Sequence, residues 1–431
     1  MKISIKTYGC AMNLADSERQ AGLLKEQGFE ITSFRDSNIV IVNTCTVKTP
    51  TEHKILKKLN ELKTSGKMVI VSGCMPPAIP GIINKFPHFS FIGVNVSDIL
   101  EAVLCVKEGK RFVKLNAKEH EKCRISIPKI RKNSVIEIIP IAEGCVGNCT
   151  YCQVKLARGQ LNSYPEKLIL KQVKIASDKG AKEIWLTSQD NGAYGIDLNN
   201  RNNNNNKNLP GLLNKITKIN GKFKVRVGMM NPNHVLNFLD ELIEIYKNNK
   251  IYKFLHIPVQ SGDDNVLRDM NRRYSANDFK KIVKKFRKVM KDITISTDVI
   301  VGFPTETQEA FENTIKLLQE TKPDIVNISR YWERARTPAA EMKQHPGRLT
   351  KKRSRIINKI FGEIGLENNR KWIGWQGSAL FSEKAKKGGG WTARNFAYKP
   401  IIVNSDKDLL GKEINVKITD ASFYDFRGEI I

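Results

Sequence analysis

Six of the eight cysteines in this chain fall into two sets of three, spaced in different ways. Cys145, Cys149 and Cys152 share one short loop, GCVGNCTYC, with CxxxCxxC spacing. Cys10, Cys45 and Cys74 are far apart, yet each follows an apolar run that reads as a strand: KISIKTYGC, NIVIVNTC and KMVIVSGC. Clustered thiols of this kind in a reducing compartment point to metal binding or catalysis rather than to disulfides. A structural zinc site normally takes four protein ligands. The compact set has no fourth Cys or His close by, and His256 would have to arrive from another strand. Three thiolates fit an iron–sulfur cube better. They leave one iron open, and an open iron is a place for chemistry. Of the remaining two, Cys105 in ILEAVLCV reads as core, and Cys123 sits in a charged linker with no evident role.

The elements that position these thiols alternate. Strands are expected at 2–8, 38–43, 68–72 and 89–94, and helices at about 13–28, 50–64 and 97–107, with Asn13 or Asp16 as cap of the first helix. Strands alternating with helices indicate a parallel α/β sheet whose ligands sit beyond the carboxyl ends of the strands. Cys10, Cys45 and Cys74 all occupy that edge. After a charged linker at roughly 108–133, the strand VIEIIPIAEG runs directly into the compact cysteine loop. Further strands at 183–187, 223–227, 253–258, 293–299 and 325–330 alternate with helices near 165–179, 235–247, 276–290 and 307–321. That is a partial or full parallel barrel with its active site at the carboxyl ends of the strands. The segment NNRNNNNNKN (199–208) reads as a surface insertion. Beyond a helix at about 350–368, short alternating runs from Lys371 to Ile431 read as a small antiparallel β-barrel. Trp375, Trp391, Phe396 and Tyr398 mingle there with Lys386, Lys387, Arg394 and Lys399. Such a mixture suits RNA through stacking and phosphate pairing, or else the aromatics fill the small core.

The formal charge of +28 is spread along the chain and implies a polyanionic partner, most simply nucleic acid. A lysine-rich proteome would also raise it. No apolar run approaches a membrane span, the first residues lack a signal-peptide stretch, and the closing FRGEII is no anchor. A cytoplasmic protein is expected.

GCVGNCTYC, with Tyr151 just before its last cysteine, resembles the signature loop of the radical S-adenosylmethionine enzymes. The whole chain resembles the methylthiotransferases. The elements that carry the resemblance are TYGCAMN, Asn43-Thr44-Cys45, Ser72-Gly73-Cys74, HIPVQSGDDNVLRDMNRRY (256–274) and DVIVGFPTET (298–307). It implies an α/β chain of three units. These are an N-terminal Rossmann- or flavodoxin-like domain (1–108), a radical core built as a partial-to-full TIM-like barrel (131–361), and a TRAM RNA-binding barrel (370–431). It also implies two [4Fe–4S] clusters, one on Cys145, Cys149 and Cys152 and an auxiliary one on Cys10, Cys45 and Cys74. In that family one S-adenosylmethionine methylates a sulfur held on the auxiliary cluster. A second yields the radical that abstracts hydrogen from an unactivated carbon. General-base chemistry cannot attack such a carbon, so no catalytic His or Glu dyad is required.

Gln189 and Asp190, Gln260 and Ser261, and the Gly302-Phe303-Pro304 turn follow strands and are candidates for S-adenosylmethionine contact, Gly302 because glycine permits close approach. Ordinary loop geometry is the competing reading for each. Arg158, Arg272 and Arg273 can pair an anion or form structural ion pairs, and His256 reads as structural. The family acts on tRNA, at the adenosine beside the anticodon, or on a ribosomal protein, and the charge favours tRNA. CTYCQVKLARG and SQDNGAYG resemble the archaeal and eukaryotic subfamily, which modifies N6-threonylcarbamoyladenosine at position 37. The alternatives are N6-isopentenyladenosine tRNA, a ribosomal protein, or a non-catalytic RNA-binding metal-cluster protein. A monomer served by an electron donor such as ferredoxin or flavodoxin is expected.

Overall fold

The computed structural model describes residues 1–115, 124–199, 207–385 and 389–431. The first apolar runs become β1 (Lys2–Thr7), β2 (Glu30–Ile31), β3 (Ile39–Thr44), β4 (Met68–Gly73), β5 (Ser90–Ile92) and β6 (Val113–Lys114). They form a parallel sheet of order β2-β1-β3-β4-β5-β6. This is the flavodoxin-like order, whose crevice opens where the order reverses, between β1 and β3. Successive strand residues point to opposite faces. On β3, Ile39 and Ile41 join a cluster with Leu24, Ile99 and Val103, and Val40 and Val42 join another with Ile55 and Leu59. Helices cover both faces, which is why β3 reads as an unbroken apolar run. The sheet continues past the expected boundary at 108, since β6 forms its last strand. Cys105 is only partly buried, not core, because Ile99, Ala102, Val103 and Val106 occupy the buried stripe of its helix. Cys123 lies outside the described residues.

The first helix departs from expectation at its start. It runs from Ala11 to Glu26 with Cys10 at the N-cap. Asn13 and Asp16 therefore lie inside it and are buried, free to serve the site instead of capping.

The central unit contains β7 (Ile136–Pro140), a two-residue ladder of β8 (Ala142–Glu143) with β9 (Asn162–Ser163), then β10 (Glu183–Thr187), β11 (Lys224–Val227), β12 (Phe254–His256), β13 (Thr294–Val301) and β14 (Ile325–Arg330). Two parallel sheets, β11-β10-β7 and β12-β13-β14, are joined by a parallel bridge between Val225 and Ile251. Among the described residues no strand pairing links β14 back to β7, so the barrel is partial. Amphipathic helices such as Glu166–Asp178, Ala276–Val289 and Gln308–Thr321 close its outer face. The expected helix at 235–247 is instead Pro232–Val235, a 3-10 turn Leu236–Phe238 and Leu239–Tyr246. Of the asparagine-rich stretch, 200–206 lie outside the described residues. Its ends are tied, Lys207 N–H donating to Asn199 Oδ1 at 2.8 Å, and Asn208 caps the helix Leu209–Thr217. No helix among the described residues is long and apolar enough to cross a membrane.

The helix Gly347–Arg370 leads to β15 (Gln376–Lys384), β16 (Trp391–Arg394), β17 (Pro400–Val403), β18 (Glu413–Ala421) and β19 (Phe426–Ile430), a closed barrel of order β15-β16-β17-β19-β18. The β17–β19 pair is parallel; the other pairings are antiparallel. The barrel docks on the amino ends of the core strands. Thr294 Oγ1 donates to the Ala397 carbonyl at 2.8 Å, and Lys399 Nζ meets Asp324 at 2.7 Å. Tyr398 wedges between Tyr252 and Phe254, with Arg394 over its ring. Tyr398, Arg394 and Lys399 thus serve domain docking rather than an RNA surface. Trp391 belongs to the barrel core, whereas Phe396 is exposed and Trp375 half-buried. Lys386 and Lys387 lie outside the described residues.

Candidate active site

The dispersed cysteines converge at the carboxyl edge of the first sheet, after β1, β3 and β4. Two glycines allow it. Gly9 has φ +107°, and a Cβ there would stand 2.6 Å from Cys45 Cβ. Gly73 has φ +94°, and a Cβ there would stand 2.3 Å from Asn43 Oδ1. Asn13 holds the three loops together. Its Nδ2 donates to the Tyr8 carbonyl at 2.9 Å and the Thr44 carbonyl at 2.7 Å. Its Oδ1 faces the thiols of Cys10 at 3.7 Å and Cys74 at 3.8 Å. Cys45 and Cys74 are buried, and Cys10 is open to the crevice. Burial pushes the Cys45 thiol up to about 12, with Cys74 adding to it. Burial also raises Cys74, against the pull of Arg158.

The compact triad lies on the loop that follows β7 and β8. Gly144 (φ +69°) starts it, where a Cβ would be 1.9 Å from the Gln160 carbonyl oxygen. The Gly147 N–H donates to Cys145 Sγ at 3.3 Å. Thr150 anchors the middle of the loop, its N–H bonding the Met270 carbonyl and its carbonyl accepting from Ala339 N–H. Burial pushes Cys145 to about 11 and Cys152 to about 12. Arg272 Nη1 donates to Cys149 Sγ at 3.2 Å, while its Nε donates to Tyr274 Oη at 2.8 Å and Nη2 to Asn231. Asn231 in turn donates to both oxygens of Asp190, at 3.1 and 2.6 Å. Tyr151 meets the edge of Phe303.

Among the described residues no three His, Cys, Asp or Glu side chains converge tightly enough to hold a single metal ion. A cube distributes its thiolates over separate irons and asks for less convergence than a single ion does. Loading requires the raised thiols to lose their protons.

The two centres face each other. The short helix Val154–Arg158 continues from the compact loop and packs against the turn Met75–Ala78 that follows Cys74. Ala157 lies in one apolar cluster with Cys74, Ala78 and Val94. Arg158, 2% exposed, reaches into the dispersed triad. Its Nη2 donates to Asn13 Oδ1 at 2.9 Å and Asp16 Oδ2 at 2.6 Å. The ion pair between Arg334 and Glu52 joins the same two units further out. At the barrel mouth His256 pairs with Asp298 at 2.9 Å. Burial raises the Asp298 carboxyl, but His256, Asn327 and, from the first unit, Lys48 outweigh it and hold it below its ordinary value.

The other candidates divide. Gln189 and its neighbour Ser188 present buried side-chain oxygens with no partner at the carboxyl end of β10, as a ligand pocket would. Gln260 is a non-glycine residue at φ +67°, an outlier of the kind that clusters at functional sites. Asp190 has both oxygens engaged by Asn231, Gly192 and His234, so it acts on the loop through Arg272. Ser261 is fully buried against Thr314. Gly302 (φ +73°) is glycine because Thr350 of the helix Gly347–Arg370 comes close: a Cβ would be 2.3 Å from its Cγ2. Arg273 is exposed. Sequence reasoning missed Asn13, Asp16 and Asn231. For the first two a signal exists, since a helix starting at Cys10 places Asn13 on the same face three residues later.

Two family models match the chain, the radical SAM superfamily over residues 139–318 and the uncharacterized protein family UPF0004 over residues 2–92. A Pyrococcus horikoshii protein named "Probable threonylcarbamoyladenosine tRNA methylthiotransferase" is 44% identical over the full length of both chains. The "Threonylcarbamoyladenosine tRNA methylthiotransferase" of Xenopus laevis is 37% identical over 99% of this chain and 77% of its own. Among solved structures, the radical S-adenosylmethionine methyltransferase TsrM from Kitasatospora setae superposes with a TM-score of 0.56 at 13% identity, covering 79% of this chain and 75% of that one, a likeness of fold.

Proposed function

The chain belongs to the threonylcarbamoyladenosine tRNA methylthiotransferase family and is a radical S-adenosylmethionine enzyme; we propose that it adds a methylthio group to C2 of N6-threonylcarbamoyladenosine at position 37 of tRNA. The observation that carries this is the pair of cysteine triads opposed across one interface, coupled by Arg158. Cys145, Cys149 and Cys152 would hold one [4Fe–4S] cluster, and Cys10, Cys45 and Cys74 a second. A cluster with an open iron supplies, when bound, the electron that cleaves S-adenosylmethionine or the seat for a sulfur to be delivered.

The chain's own residues do the positioning. Arg272 fixes the Cys149 thiol and is itself fixed by Tyr274 and Asn231. Gln189 and Gln260 are the side chains we assign to S-adenosylmethionine at the barrel mouth. The base would enter between the first unit and the barrel mouth, on the side where Cys10 is exposed. The division into a first unit that runs on to β6, a core at 131–361 and a barrel at 370–431 then separates sulfur holding, radical generation and RNA holding. Trp375 and Phe396 line, with Lys182, Lys222, Lys224 and Lys250, a cleft of about 730 Å³ between the C-terminal barrel and the core, suited to phosphodiester and stacked bases. A cytoplasmic monomer reduced by a ferredoxin or flavodoxin completes the reading.

Nucleoside mass spectrometry of tRNA from cells lacking the protein tests the substrate. The 2-methylthio form of N6-threonylcarbamoyladenosine should disappear, and its persistence refutes the assignment. Replacing Cys10, Cys45 and Cys74 with Ala should spare reductive S-adenosylmethionine cleavage and abolish methylthiolation. Loss of cleavage in a folded variant would overturn the division of labour.

A further inference from the structure

Arg158 is buried among groups that do not fully use it. Its Nη2 serves Asn13 and Asp16, whereas Nη1 is buried with no hydrogen-bond partner. An orphaned guanidinium N–H at this depth costs free energy unless something absent from the bare protein accepts it. The surroundings narrow the acceptor. Arg158 lies against Cys74 and is the cation whose charge is felt at both Cys74 and Cys45. Asp16 neutralises it in the bare chain, but three thiolates carrying iron and sulfide bring further negative charge into the same space. The side chain comes from the helix that continues the compact loop, only six residues after Cys152. One rigid group therefore touches the dispersed triad while belonging to the radical loop.

We propose that Arg158 couples the two centres: its Nη1 donates to anionic sulfur held on Cys10, Cys45 and Cys74, and its Nη2 bonds set that sulfur's position relative to the radical loop. It is a positioning residue, and this rests on the reading that the dispersed triad holds its own cluster. A planar fork meets both demands, because it can bond Asn13 and Asp16 on one side and sulfur on the other. Lysine supplies charge without that geometry. Loss of charge alone would also move the potential of a nearby cluster, but lysine would then restore it in full; the donor from the planar fork is what lysine cannot replace.

The test uses the full chain with Cys145, Cys149 and Cys152 replaced by Ala, so that iron and sulfide supplied anaerobically can load only the dispersed triad. Iron content and the midpoint potential of that cluster are then measured with Arg158, R158Q and R158K. The parent should bind about four irons. R158Q should retain iron and shift the potential downward, since a positive charge and a donor to sulfur are gone; R158K, which also guards against misfolding of R158Q, should recover part of the shift. Equal potentials in all three, with iron bound, overturn the coupling and leave the two-cluster reading intact. Absence of iron in the folded parent sinks both. In the enzyme with all cysteines present, R158K should raise the ratio of 5′-deoxyadenosine released to nucleoside methylthiolated; a ratio equal to that of the unaltered enzyme counts against the proposal.

Discussion

At the scale of single residues, the site depends on small side chains that let loops meet and on donors that aim the sulfurs. Gly9 is the sharpest case of the first. Alanine there adds a Cβ 2.6 Å from Cys45 Cβ in a backbone conformation at φ +107°. Strained φ costs about 1–3 kcal/mol and overpacking about 1–3 kcal/mol more. Gly9→Ala should therefore lower unfolding free energy by at least about 2 kcal/mol. It should also cut iron loading on the dispersed triad; urea titration and iron assay read both, and full loading at unchanged stability would show that the approach is not needed. Arg272 is the case of the second kind, donating to Cys149 at 3.2 Å. Removing a group that orients a metal ligand usually costs about 10–100-fold in affinity or activity. Arg272→Met should weaken the radical cluster by that order and slow S-adenosylmethionine cleavage, with iron on Cys10, Cys45 and Cys74 unaffected. A uniform loss of iron from both triads would contradict this separation.

At the scale of elements, the strand ends did the informative work. The runs ending in Cys45 and Cys74 were legible as parallel strands because both faces of the sheet are buried there, the run ending in Cys10 by its alternation, and the carboxyl-edge rule then brought the three thiols together. The compact loop was legible from spacing alone. What could not be read was any bond between elements remote in sequence. Arg158 and Asn13 are 145 residues apart, so the pair left no local pattern. Tyr398, Arg394 and Lys399 look like an RNA surface in one dimension and prove to be a docking face, because nothing in the sequence says which side of the small barrel meets the core. Gly302 shows the same limit: the demand for glycine there comes from Thr350 on a helix 48 positions later, a contact that leaves no local pattern. Gly302→Ala should destabilise the chain by about 1–3 kcal/mol through that clash. Adding Thr350→Ser, which removes the offending Cγ2 and keeps the hydroxyl bond to the Gly347 carbonyl, should recover part of the loss. The Michaelis constant for S-adenosylmethionine in the double variant should match that of the unaltered enzyme; a rise of tenfold would return Gly302 to the ligand pocket.

At the scale of the whole molecule, the chemistry and the basic cleft occupy opposite ends of the core. The triads sit at the carboxyl ends of the strands, and the C-terminal barrel is docked on their amino ends through Thr294, Asp324, Tyr252 and Phe254. A short RNA stem-loop that reaches only the mouth would forgo the cleft, whereas a folded tRNA is long enough to use both. Deleting the barrel is a poor test of this, because removal from Lys371 onward takes Lys399 from Asp324 and uncovers Tyr252 and Phe254. Any loss of RNA binding would then be inseparable from loss of fold. Lys182 and Lys222 offer a cleaner one, since both line the cleft and neither side chain makes a hydrogen bond or ion pair among the described residues. Replacing both with Gln should leave stability within about 0.5 kcal/mol, as surface substitutions usually do. If each meets a phosphate, the slope of log affinity against log salt should become shallower by about 1–2. Affinity for full-length tRNA should fall, while that for an isolated anticodon stem-loop should be unchanged. Equal weakening for the two RNAs would place the anticodon arm itself in the cleft, and an unchanged slope would remove the cleft from RNA binding.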